Sequence, residues 1–138
     1  MRVQAGRDKR PGVAVVEAAI VVPVLLLLLY GLIAGAVMVF TADEVVSATR
    51  EGARYASVHG GSYAFNTGKP AATEADIAAV VRAQAVLFDA ALLSCKVTWQ
   101  SSNRPGQYVT VEARYQWPGL GPFGAREFVS TSTVQVTY

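Results

Sequence analysis

A chain of 138 residues with 52% hydrophobic residues and a formal charge of +2 has room for one small domain and little else. The charge does not come from a nucleic-acid-binding face. Arg2, Arg7, Lys9 and Arg10 stand against Asp8 within residues 1–12, and beyond them acidic side chains slightly outnumber basic ones. Cys95 is the sole cysteine and His59 the sole histidine, which excludes an internal disulfide and leaves no metal-ligand or nucleophile pattern for an enzyme.

The first element is an apolar run. From Ala18 to Phe40 no side chain is charged, and these about 23 residues suffice to cross a ~30 Å hydrocarbon core at 1.5 Å per residue. A cleaved secretory signal has a shorter apolar region, about 7–15 residues, with a small-x-small site after it. Ala34-Gly35-Ala36 mimics that site, but the run is too long. The chain therefore divides into a basic leader over 1–12, a transmembrane helix over 13–40 and an extracytoplasmic α+β domain over 41–138. Basic residues precede the span, and Asp43 and Glu44 follow it. The positive-inside rule then predicts a single-pass protein of the inner (cytoplasmic) membrane. Its N-terminus is cytoplasmic and its C-terminal domain is periplasmic or at the cell surface. The lipid bilayer is the first expected partner.

Glu17 stands at the mouth of the apolar run, five residues after Gly12. A carboxylate held at the bilayer centre costs on the order of 2–3 kcal/mol, so this position calls for a use. Pro23 cannot donate to the Ala19 carbonyl, which predicts a kink there. Gly31 and Gly35 form a Gly-x-x-x-Gly pair, a spacing that lets helix backbones approach closely in lipid.

The helix continues past the membrane. Residues 41–51 contain no Pro or Gly, and Val45, Val46, Ala48 and Ala53 form an apolar stripe. One helix is predicted from about Val13 to about Ser57, closed by His59-Gly60-Gly61-Ser62. Gly52 inside it costs about 1 kcal/mol relative to Ala, which points to close packing. Arg50 and Arg54 lie one turn apart, with Glu51 free to pair on the helix or with the sheet.

Ser62 to Pro70 reads as a loop. Thr73 and Asp76 have capping-box spacing. Ile77, Val80, Val81, Gln84, Leu87, Phe88, Ala91 and Leu92 then share one face of a second helix predicted to end near Leu93. Three strands follow. Val97 and Trp99 alternate with polar residues, as do Val109, Val111, Ala113, Tyr115 and Trp117, and then Phe128, Val134 and Val136. Asn103-Arg104-Pro105-Gly106 reads as the turn of a hairpin, and Pro118 to Gly124 as a longer loop. Cys95 reads as a small buried hydrophobe near a strand start, with a reactive or intermolecular thiol as the alternative. Tyr63, Phe65, Trp99, Tyr115 and Trp117 read mainly as core aromatics, and a surface-binding patch is the alternative. The fold class is α+β: a long N-terminal helix, a second helix and a three-stranded antiparallel sheet.

Three stretches resemble one family. Gly12 to Pro23 looks like the processed N-terminus of pilin-like proteins. Val16-Glu17-Ala18-Ala19-Ile20-Val21-Val22-Pro23-Val24-Leu25-Leu26 is similar to the TadE-like family of tight-adherence pilus systems. Ala48 to Ala56, with Glu51, Gly52, Ala53 and Arg54 at its centre, looks like that family's second signature. The resemblance covers roughly residues 10 to 58. Ala18 stands where such sites often carry an aromatic, and Pro11 adjoins the expected cleavage site.

The resemblance implies a pilin-like structural component, a minor pilin or pseudopilin in assembly of a tight-adherence pilus or secretion system. The residue content predicts no enzymatic activity, no cofactor and no metal, and the charge distribution predicts no nucleic-acid partner. The implied partners are other pilin-like subunits, pilus assembly membrane proteins and a prepilin peptidase. That peptidase would cut between Gly12 and Val13. Glu17 would then reach the N-terminus of a neighbouring subunit, as the resemblance implies for filament-forming pilins. Pro23, Gly31 and Gly35 would shape helix packing. Glu51, Gly52, Ala53 and Arg54 would hold helix to sheet or contact another subunit. The alternative is a bitopic, membrane-anchored extracytoplasmic binding module outside any filament.

Overall fold

A computed structural model describes residues 11–86 and 89–137. The leader residues 1–10, and Leu87 and Phe88 of the predicted second-helix face, lie outside the described residues.

Helix α1 runs Pro11–Val58 without interruption, and the chain stays helical across Pro23. Its start suits proline, whose fixed φ matches a first helical turn. The outer half is amphipathic. Val45, Ala48, Thr49, Gly52, Ala53 and Ala56 are buried and recur at spacings of three and four, which sets one stripe toward the core. Nearly all are small, so the helix lies close to what it covers. The two buried threonines satisfy their own hydroxyls. Thr41 Oγ1 donates to the Val37 carbonyl at 2.8 Å and Thr49 Oγ1 to the Val45 carbonyl at 2.7 Å, so neither leaves an unpaired polar group inside.

The segment expected to be a loop after Gly61 is partly helical. Helix α2 spans Gly61–Thr67. Its first N–H donates to the Asn103 carbonyl at 2.7 Å, and the Gly68 N–H closes its end on the Ala64 carbonyl at 3.0 Å. That support comes from Asn103, distant in sequence, which local sequence does not signal.

Helix α3 spans Glu74–Ala83, with the expected capping box: the Thr73 side chain accepts from the Asp76 N–H, and the Asp76 carboxylate accepts from the Thr73 N–H and hydroxyl. Those bonds hold the Asp76 carboxyl below its ordinary range. Ile77 and Val81 are fully buried, each contributing roughly 1.5–3 kcal/mol of apolar burial. The helix ends ten residues before the expected stop near Leu93. Ala91 and Leu92 belong instead to a 3-10 turn, Ala90–Leu92, whose start is capped by Asp89 accepting from the Ala91 N–H. Leu93 is already in a strand. Its pairing with Tyr115 outcompetes further helix.

Strands β1 (Leu93–Trp99), β2 (Tyr108–Trp117) and β3 (Arg126–Gln135) form an antiparallel sheet in the order β1-β2-β3. Val97 faces Val111, and Tyr115 faces Phe128 across the next pair. In β2 every apolar position of the predicted alternation is buried. The core joins that face to Ile77 and Val81 of α3 and to the alanine stripe of α1. Thr137 N–H donates to the Ser57 carbonyl at 2.9 Å, fastening the chain beyond β3 to the end of α1.

Candidate functional site

None of the described residues covers the inner half of α1. Every described side chain from Gly12 to Tyr30 is exposed. This is the one described helix long and apolar enough to cross a membrane, with a mean hydropathy of 2.7 over its most apolar stretch. Such a helix suggests a membrane anchor. Glu17 is exposed within it. Among the described residues none forms an ion pair with Glu17. Val13 and Glu17 are four residues apart on a continuous helix, hence one turn apart on the same face. Gly12 lies in the first turn with open space around it. The helix thus brings Gly12, Val13 and Glu17 together at one bare end, and Pro23 lies farther along the same exposed surface.

Gly31 and Gly35 are half-buried, and the chain covers only part of their face. A Cβ at Gly31 would meet nothing, whereas one at Gly35 would lie 3.7 Å from the Phe123 ring. The neighbour at Gly35 is the β2–β3 connection of the same chain. Pro118 to Gly124, a longer loop by its sequence, gives no local sign of this contact. The available signal was composition: Tyr115 to Ala125 carries no charge.

The second motif divides by face. Gly52 and Ala53 are buried, and Arg54 is exposed. A Cβ on Gly52 would run into Val81 Cγ2 and lie 3.7 Å from both Ile77 Cγ2 and Val111 Cγ1. Gly52 is therefore where α1, α3 and β2 meet. On the outer side Arg54 grips Glu51 with two bonds, Nη2 to Oε1 at 2.9 Å and Nε to Oε2 at 3.1 Å. The hydrogen bonds from Arg54 hold the Glu51 carboxyl below its ordinary range and raise the guanidinium. Of the partners Glu51 was free to choose, it takes the one on its own helix. So exposed a pair adds little to stability and leaves a charged surface on the outer helix.

Cys95 is half-buried in β1. Burial pushes its thiol up, with partial opposition from Arg82, which makes it a poor nucleophile. His59 stacks on Tyr55 at a centroid distance of 4.0 Å and meets the tilted ring of Tyr63 at 4.5 Å. Its Nδ1 lies 2.9 Å from the Tyr55 carbonyl. The proposed aromatic set does not gather into one patch: Tyr115 and Trp117 are in the core, while Phe65 is 92% exposed on α2. Among the described residues no three His, Cys, Asp or Glu side chains gather where a metal ion would sit.

Comparison with known proteins matches residues 12–54 to the family described as TadE-like protein. The matched segment runs from the glycine ahead of Glu17 to Arg54 of the second motif. Such a match fits a pilin-like protein associated with a tight-adherence pilus. No curated protein and no solved structure matches the chain.

Proposed function

We propose, from the TadE-like match over residues 12–54, that this chain is a pilin-like subunit in assembly of a tight-adherence pilus, a minor pilin or pseudopilin. The observation that carries the reading is the bare end of α1: a carboxylate one turn inside Val13, on an apolar stretch that none of the described residues covers.

A prepilin peptidase cuts after Gly12 on the cytoplasmic side and leaves a free ammonium at Val13. That ammonium and the Glu17 carboxylate are opposite charges in a medium that penalises each alone. In a single subunit they offset one another. Between subunits, Glu17 of one copy takes the N-terminus of the next, and the pairing sets register along the helix bundle. The outer domain stays extracytoplasmic, held on the amphipathic half of α1. Its exposed Glu51–Arg54 pair is available to neighbouring subunits or to other assembly proteins in the membrane.

Deleting the chain from cells that make the pilus, with an alkaline phosphatase fusion after Tyr138 in the parent, tests this reading. The expected result is an active phosphatase and the loss of surface pili on deletion, counted by electron microscopy. Normal piliation in the deletion strain would leave the chain as a bitopic anchored module outside any filament.

A further inference from the structure

The β2–β3 connection has a shape and position that the pilin-like role does not require. It runs from Pro118 to Ala125 within a stretch, Tyr115 to Ala125, that has no charged side chain. Its tip is a tight hairpin. Leu120 N–H donates to the Phe123 carbonyl at 3.0 Å, and Phe123 N–H to the Leu120 carbonyl at 3.1 Å. Between them Gly121 has φ +55 and Pro122 has the fixed negative φ of its ring, the combination of a type II′ turn. A side chain at Gly121 would also collide with Tyr30. Leu120 and Phe123 thus pair their backbone groups with each other, which lowers the cost of leaving bulk water and suits the polar–apolar boundary better than the hydrocarbon interior.

The tip folds back along α1 instead of projecting from the domain. Gly121 rests against the ring end of Tyr30, and Phe123 against Gly35. Phe123, Gly31, Leu32, Gly35 and Met38 line an apolar groove of about 610 Å³. Leu120 remains 38% exposed and Tyr30 46% exposed. The unbroken bare stretch of α1, Gly12 to Tyr30, is about 27 Å long at 1.5 Å per residue, close to the ~30 Å hydrocarbon core. Beyond it the helix is partly covered, with Ala34 buried, while Leu32, Ile33, Val39 and Phe40 stay exposed. The hairpin begins where the unbroken bare stretch ends, beside Tyr30, a residue type that anchors at membrane interfaces.

We infer that the Leu120–Phe123 hairpin inserts into the outer headgroup–acyl boundary of the bilayer, as a second membrane contact beside the helix. Its occupant is lipid. The apolar surface of the tip is continuous with that of the span, so an anchored chain brings it to the bilayer without a further partner. Two contacts, helix and hairpin, fix the rotation of the outer domain on the membrane, which a single helix leaves free. The inference rests on reading Gly12 to Tyr30, in place of the whole run to Phe40 expected from sequence, as the segment that crosses the hydrocarbon core.

The test uses the full chain with Cys95→Ser, one copy per nanodisc of phosphatidylcholine and phosphatidylglycerol. A polarity-sensitive fluorophore is attached in separate samples at Leu120→Cys, at Leu25→Cys and at Thr131→Cys on the exposed sheet face. The expected result is blue-shifted emission at 120 that shallow spin-labelled lipids quench, an embedded signal at 25, and a water-like signal at 131. Water-like emission at 120 with an embedded signal at 25 overturns the inference and spares the anchor. Water-like emission at both 25 and 120 overturns the anchor and the inference together. Blue-shifted emission at 120 that lipid quenchers leave unchanged shows protein cover instead of lipid and also overturns it.

Discussion

Glu17→Ala will leave the chain in the membrane and abolish its support of pilus assembly. The substitution removes a charge from the mouth of the charge-free run Ala18 to Phe40, so insertion becomes easier by up to about 2–3 kcal/mol. Any loss of function is then not a failure to insert. Nothing in the fold depends on Glu17 either: it is exposed, far in sequence from the core stripe that begins near Ala34. What remains is its charge. If the carboxylate pairs with the ammonium of a neighbour, losing about 2–3 kcal/mol per contact weakens subunit association on the order of 30- to 150-fold. Glu17→Gln keeps the size, removes the charge and is expected to behave like Glu17→Ala. Immunoblots of membrane fractions and counts of surface pili read the two effects separately. Normal piliation with either variant would show that the carboxylate plays no part in assembly.

The second large effect is structural. Gly52→Leu will unfold the outer domain, and Gly52→Ala will destabilise it despite improving helix propensity. Alanine gains about 1 kcal/mol over glycine in a helix interior. Here its Cβ meets Val81, a β-branched side chain on a packed helix, whose rotamer has little freedom to give way. Overpacking of this kind costs about 1–3 kcal/mol, so the clash outweighs the propensity gain. Leucine adds three more carbons at a point where α1, α3 and β2 converge, and a loss beyond about 3 kcal/mol takes a large part of the 5–15 kcal/mol typical of a domain. The partner is identified by a double-mutant cycle. Val81→Ala makes a cavity alone but relieves Gly52→Ala, so the two changes together will cost less than their sum. Thermal melts of the detergent-solubilised chain, followed by near-ultraviolet circular dichroism, measure this. A Gly52→Ala variant as stable as the parent would remove close packing as the reason for the glycine.

Much of this was legible in the sequence where the physics is local or periodic. The long helix follows from an uncharged run passing into an apolar stripe, and β2 from alternation that held at each of its apolar positions. Gly52 announced itself as a costly residue in a good helix. What the sequence did not disclose depends on distant partners. The apolar face of α3 seemed to run on to Leu92, because helical spacing cannot show that Leu93 pairs with Tyr115. Helix α2 was missed because seven residues beginning with glycine are a poor helix alone, and Asn103 supplies the acceptor at its start. The hairpin at Leu120 read as a loop because its packing on Tyr30 and Gly35 spans most of the chain. At the bare end, Glu17 was legible as an anomaly of charge, and the fold adds that nothing within the described residues pairs with it.

Processing after Gly12 is the claim on which the pairing chemistry depends. It is tested most directly by mass spectrometry of the chain's N-terminus, in membranes from cells with and without the prepilin peptidase. The expected result is a start at Val13 when the peptidase is present and an uncut leader when it is absent. A start at Met1 or Arg2 in both would contradict it, since Glu17 would then have no new ammonium to meet.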